Sequence, residues 1–310
     1  MRGFLSSKNM MYILAGSVFL LALMLILTWA FHSRHEDRDW WETLFQKTVK
    51  KTQLVNTMRI NLLASAEAEK SSVMADTDEA SRVFAEQSVR ASEAVEEARR
   101  EIERLLEGEN AGREMELFHQ FSSCWKKLEE IDQEILPLSV QNTNLKALRL
   151  SFVPAAEAIK GMEAALVQLM DSSASSPGAL GITRLASGAL TDALNIYALQ
   201  APHIAETTDT RMDEMEAIMK NLDTQVTDAL GSLQPLVDEQ AKPFLDKAWT
   251  SYKDFRRINA EIVDLSRRNS NIRSFAISLG RKRKVMAQCQ DLLAALQEAF
   301  QKNTAFEATR

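Results

Sequence analysis

Ser139-Val140-Gln141-Asn142-Thr143-Asn144 returns 127 residues later as Ser266-Arg267-Arg268-Asn269-Ser270-Asn271, and three apolar positions return with it: Ile131 with Ile258, Ile135 with Ile262, Leu138 with Leu265. A duplication of this length restricts the chain to two copies of one helical unit that stack or pair. Composition argues against sheets, because 10 Gly and 6 Pro in 310 residues are too few to turn a β-protein. With 45% hydrophobic but only 7% aromatic residues, the apolar side chains suit seams between long helices better than one large globular core.

Asn9 to Phe31 carries no charge. Its apolar stretch, 10–31, would span ~33 Å at ~1.5 Å per residue, which matches bilayer hydrocarbon. It is too long for the apolar region of a signal peptide and lacks a small-x-small cleavage site, so it reads as an uncleaved transmembrane helix. Arg2 and Lys8 precede it, whereas Arg34 and Arg38 are interleaved with Glu36, Asp37 and Asp39. That bias puts residues 1–9 in the cytoplasm and nearly everything else outside it. A net charge of −6 argues against nucleic acid as a partner. Cys124 and Cys289 are the only cysteines. If their two long helices run parallel, the pair is separated by ~60 Å in height, so no internal disulfide is expected and both read as buried small apolar residues.

Six helices follow. The first runs from Glu36 to the break at Asp76-Thr77-Asp78, and the second to Glu107, before Gly108 and Gly112 turn the chain. The third runs from Arg113 to Met170 and ends in Ser172-Ser173-Ala174-Ser175-Ser176-Pro177-Gly178. Ile182–Ala205, Met212–Leu233 and a long helix opened by Pro235 and reaching Lys302 repeat that plan. Each long helix matches two short ones in length, which predicts an all-α fold of two stacked four-helix modules over 36–303. The near module would contain 36–76, 142–207 and 269–303; the far one, 77–141 and 208–268; residues 304–310 would be a tail.

This plan resembles the helical bimodular sensor domain of bacterial methyl-accepting chemotaxis receptors, and is similar to their simpler four-helix-bundle sensors, from roughly Glu36 to Lys302. Asn61-Leu62-Leu63, Ala68-Glu69-Lys70, Asp76-Thr77-Asp78 and the paired Asn-x-Asn segments carry the likeness. The resemblance implies a homodimer in the bacterial inner membrane, with an extracytoplasmic domain that senses small molecules such as organic acids and shifts a transmembrane helix. A full receptor continues through a second span and a cytoplasmic coiled coil. Here the sequence given ends at Arg310. The expectation is therefore a sensor without its own output domain, a truncated receptor, or a protein signalling through a partner transmitter.

The three-four register of the sixth helix brings Asn269, and by the offset Asn142, into the buried seam, where a polar residue fixes alignment. The same register places Arg149 and Arg283 at seam positions, and a buried guanidinium needs an anion. Arg59, Tyr197 and His203 come level with Arg283, so these five are the predicted site for a small organic anion, with the arginines as bidentate donors. Arg90, Trp125, Lys126, Trp249 and Tyr252 form a second candidate, an aromatic box in the far module.

Catalysis has little to work with. Di-iron bundles need two Glu-x-x-His units; the chain has one, Glu116 to His119, and four histidines in all. No nucleotide-binding glycine loop and no nucleophile triad occur. No cofactor and no enzyme are expected. The alternative to a sensor is a structural or adaptor coiled-coil protein of the cell envelope whose seams are closed and which binds no small molecule.

Overall fold

A computed structural model describes residues 45–107 and 112–307, with side chains to Lys302. The fold is all-α, and no strand occurs among the described residues. In chain order the helices are α1 (45–74), α2 (Asp78–Glu107), α3 (Gly112–Ser139), α4 (Thr143–Leu150), α5 (Ala156–Ser172), α6 (Ala179–Ala205), α7 (Asp209–Leu233), α8 (Lys242–Arg268), α9 (Ser270–Ile277) and α10 (Arg283–Glu307). π-helical turns at Ser151–Ala155 and Ser278–Lys282 join α4 to α5 and α9 to α10. The predicted transmembrane segment, 10–31, and the cytoplasmic residues 1–9 lie outside the described residues. Among the described helices none is long and apolar enough to cross a membrane.

Both predicted long helices are therefore interrupted, at equivalent places. Asn142 and Asn269 adopt the left-handed conformation, with φ of 50° and 51°. Asparagine tolerates that region better than other side-chain-bearing residues. Asn269 ends α8 and starts α9, while Asn142 starts α4 after a short turn that follows the end of α3 at Ser139. The π turns then follow at the same offset of 127. Pro154 lies in the first, but Arg281 takes its place in the second, so the missing proline N–H is not what makes the turn. The inward positions are. Ser266, Ser270, Ser274, Ser278, Lys282 and Met286 are buried at every fourth residue. Steps of four overrun the 3.6-residue turn, and the extra residue of a π turn returns the stripe to the same face. The sixth helix also starts later than expected: Pro235 falls in a turn, and Pro243 is the proline in the first turn of α8.

The chain divides into two compact units. Within the first, residues 45–61, 93–107, 112–123 and 289–302 pack around Met58, Ile102, Phe118, Phe121, Leu296 and Phe300, all nearly inaccessible. Lys51 lies 5.2 Å from the centre of the Phe300 ring and 3.5 Å from Glu114, with both charged side chains almost fully buried.

The second unit comprises Leu62–Ser92 and Cys124–Gln288. Its main core lies in a four-helix bundle of the α4–α5 rod, α6, α7 and α8, filled by residues such as Met162, Leu166, Ala189, Leu230, Leu245 and Phe255. Fully burying one such Leu or Phe is worth about 1.5–3 kcal/mol. The rod and α8 run antiparallel: Asn144 meets Asn269, and Gly161 approaches Ser251 so closely that a Cβ there would fall 2.9 Å from the serine hydroxyl. α6 and α7 form a hairpin, with His203 bonded to Glu216. α1 and α2 likewise reverse, since Ser65 meets Ser88 and Ser72 donates to the Ser81 carbonyl.

These reversals correct the predicted modules. The bundle core joins 143–172 and 179–205 with 209–233 and 242–268, segments that the length argument assigned to different modules. The breaks at Asp76–Asp78 and Thr207–Thr210 are hairpin turns rather than joints between helices in line. The cysteine reading fails for the same reason. Both cysteines are disulfide-bonded. The predicted separation assumed parallel long helices, whereas Cys124 Sγ lies 3.4 Å from the Val285 carbonyl oxygen and Asp132 pairs with Lys282, which makes α3 antiparallel to the segment entering α10.

Candidate ligand groove and polar belt

The duplicated Asn-x-Asn segments meet face to face in the second unit. The first backbone N–H groups of α4 have no side-chain cap from their own N-cap residue, although a helix start needs one. The caps come from the other copy. Thr143 N–H donates to Ser270 Oγ (3.1 Å) and Asn144 N–H to Asn271 Oδ1 (3.2 Å); in return Ser270 N–H donates to Thr143 Oγ1 (3.0 Å) and Asn271 N–H to Asn144 Oδ1 (3.2 Å). The amides of Asn142 and Asn269 are used as well. Asn142 Nδ2 donates to Asp78 Oδ1 and Ser81 Oγ, and Asn269 Nδ2 to the Glu206 carbonyl. Alignment is thus enforced by reciprocal capping in a pseudo-twofold arrangement.

Beyond this belt the α4–α8 bundle opens a groove of about 520 Å³ between α7 and α8, with Ile196 of α6 also lining it. That volume suits a small ligand. Met219, Tyr252, Phe255 and Ile196 are buried and make an apolar floor, while Lys220 and Arg256 are exposed at the rim. Tyr252 donates to Asp223 Oδ1 at 2.7 Å, and Arg256 Nε meets the same oxygen at 2.7 Å. Burial, reinforced by the bond to the Asp223 carboxylate, drives the Tyr252 hydroxyl far above the ordinary phenol range, so it remains a donor. A guanidinium carries five N–H donors, which leaves the terminal nitrogens of Arg256, with the Lys220 ammonium, to receive an anion.

At one end of the groove Glu216 accepts from His203 Nε2 (3.0 Å) and from Arg267, while His203 Nδ1 lies 2.8 Å from Ser266 Oγ. Burial opposes ionisation of Glu216, but the bonds from Arg267 and His203 outweigh it and hold the carboxyl below the usual glutamate range. Deeper in the bundle, Ser151 donates to Gln200 Oε1 (2.7 Å) and Gln200 Nε2 to Asn259 Oδ1 (2.8 Å). The groove therefore combines an apolar floor, fixed dipoles and a cationic rim.

The five residues predicted as a site are not assembled into one. Arg59 is exposed in the first unit and donates to Gln297 Oε1 at 2.9 Å. Arg149 is exposed and caps the Asp76 carbonyl rather than lying in the seam. Arg283 is exposed too, because beyond the left-handed break at Asn269 the inward stripe runs in steps of four, through Ser274 and Ser278 to Lys282, which is buried instead. Tyr197 is half-buried against the bundle core. His203 alone reaches the groove, through Glu216. Of the aromatic box only Tyr252 lines the groove; Trp249 is packed partly against the core under Lys253, and Arg90 pairs with Glu86 on the outside of α2.

Glu216, Lys220, Asp223, Arg256 and Asn259 were missed. One signal was available: Gln200, His203 and Asn259 interrupt otherwise apolar inward positions, marking where the bundle interior becomes polar. No protein-family model matches the chain, and comparison with curated proteins gives no match.

Proposed function

We propose that this chain is a membrane-anchored, extracytoplasmic ligand-sensing domain of the chemotaxis-receptor type, acting as a homodimer and taking a small organic anion in the groove between α7 and α8. The observation that carries this reading is the pairing of Lys220 and Arg256 over the apolar floor of Met219, Tyr252 and Phe255. A carboxylate would accept from the arginine fork while its carbon chain covers the floor. The anchor rests on the uncharged stretch 10–31, and two disulfide-bonded cysteines suit an oxidising compartment outside the cytoplasm. Because the groove is walled by α7 on one side and α8 on the other, a ligand that preferred a closed groove would shift the balance between two packings of these helices. A few kcal/mol of differential binding suffices for such a shift.

Calorimetry of the full chain with a panel of mono- and dicarboxylic acids tests the reading. At least one acid should bind saturably, and Arg256→Ala should weaken it by about tenfold or more, as expected for a charged hydrogen bond worth ~1.5–3 kcal/mol. Absence of heat with every acid, or equal heats with the variant, would remove the groove as the anion site.

A further inference from the structure

The duplication places two polar clusters at equivalent positions, and they differ in charge. On one side stand Ser151, Gln200 and Asn259, with Ala155 on the π turn beside them. Through the 127-residue offset Ser278, Asp132 and Lys282 correspond to Ser151, Asn259 and Ala155, and Glu69 on α1 takes the place of Gln200 on α6. The same serine-to-carbonyl bond recurs: Ser278 Oγ donates to Glu69 Oε2 at 3.2 Å. Two neutral amides in one copy are two carboxylates in the other.

The charges of the second cluster do not balance. Lys282 Nζ lies 3.1 Å from Glu69 Oε2 and also meets Asp132 Oδ1, so one ammonium serves two carboxylates. Glu69 is completely inaccessible, Lys282 is 3% exposed and Asp132 8%. Glu69 Oε1 is buried and has no hydrogen-bond partner. Among the described residues, Glu69 on α1, Asp132 on α3 and Lys282 on the π turn are the buried charged groups at the cluster, and the buried residues of α2 nearby, Ser81, Ala85 and Ser88, carry no charge. Arg281 and Glu134 pair with each other at the exposed surface. An isolated net charge in such a place costs several kcal/mol and is normally relieved by neutralisation.

We infer that the Glu69–Asp132–Lys282 cluster is a proton-binding site, which holds one proton shared between its two carboxyls at neutral pH and releases it as the medium becomes alkaline. A solvent proton adds to a carboxylate oxygen, an O–H bond forms, and the cluster becomes neutral overall, as its amide counterpart already is. Burial also pushes the Asp132 carboxyl above the usual range, against the opposing pull of Lys282. Loss of the proton leaves a net negative charge where α1, α3 and the α9–α10 segment meet, so occupancy ties the stability of that packing to pH.

The test uses the full chain and its Glu69→Gln and Asp132→Asn variants, each of which copies one amide of the other cluster. In pH-difference infrared spectra the wild type should show the carbonyl stretch of a protonated carboxyl at pH 7 that disappears towards pH 10, and both variants should lack it. The folded wild type holds a proton that the unfolded chain, with carboxyl pKa values near ~4, has already lost. Its melting temperature should therefore fall, relative to either variant, as pH rises from about 5 through the pKa of the folded cluster. Lys282→Met should raise the uptake to about two protons. A wild type without the band at pH 7, with a pH profile parallel to both variants, overturns the proposal. So does a cluster stabilised by added sodium or potassium at fixed pH, since a metal cation would then supply the missing charge.

Discussion

The side-chain amide of Asn144 donates to Asn269 Oδ1 at 2.8 Å, joining the second helix of one copy to the left-handed break of the other. Its counterpart, Asn271, donates to Asn142 Oδ1 at 3.0 Å. These bonds surround the crossed caps and fix where the two long segments pass each other.

Replacing Asn142 and Asn269 by leucine should therefore destabilise the chain, although removing a buried amide from an ordinary core position often does the opposite. Leucine in the left-handed region costs about 1–2 kcal/mol, and each lost buried bond about 0.5–1.5 kcal/mol more. Urea unfolding should show a loss of about 2–6 kcal/mol per site on that basis, larger at Asn142 than at Asn269 because its side chain makes more bonds. Asn269→Gly, which keeps the backbone conformation, should lose less. A gain in stability with leucine would mean that the breaks are not required.

The crossed caps make a separable prediction. Ser270→Ala should cost about 1 kcal/mol, the usual value of an N-cap, although the serine caps a helix from the other copy. In a double-mutant cycle with Thr143→Val the two losses should be non-additive, because Thr143 and Ser270 bond to each other. Simple additivity would contradict reciprocal capping.

Acid should weaken the bundle through Glu216. Its folded pKa is depressed below 4.5, so its contribution to stability is present above that value and disappears as pH falls through the lowered one. The stability difference between wild type and Glu216→Gln should stay constant from neutral pH down to about 5 and shrink below about 4. A difference that instead grew on acidification would have the wrong sign for a carboxylate held by Arg267 and His203.

Thiol titration of the unreduced, denatured chain should find no free cysteine, because Cys124 and Cys289 are both disulfide-bonded. Reduction should lower stability by about 2–5 kcal/mol. Two reactive thiols in freshly purified protein would refute the bond.

The offset of 127 made the helical class, the rods and both asparagine pairs legible from residues alone. What it could not convey was direction. Helix lengths are the same whether Thr207-Thr208 joins helices in line or reverses them, and only the packing of α6 against α7 distinguishes the two. Register failed more locally. A three-four register carried on from Leu265 points to Arg283, but beyond the left-handed break at Asn269 and through the π turn the inward residues come every fourth, at Ser270, Ser274, Ser278 and Lys282. The groove was hidden for a third reason: Asp223 and Arg256 lie far apart in the chain, and each has the exposed, charged character of an ordinary helix surface residue until α7 and α8 are placed side by side.

Hydrogen exchange measured by mass spectrometry on the full chain, with and without a saturating small carboxylate, tests the central claim most directly. The account predicts slower exchange confined to peptides of α7 and α8, around Glu216–Asp223 and Tyr252–Val263, and its loss in Arg256→Ala. Protection elsewhere with these helices unchanged, or no protection from any acid, would contradict it.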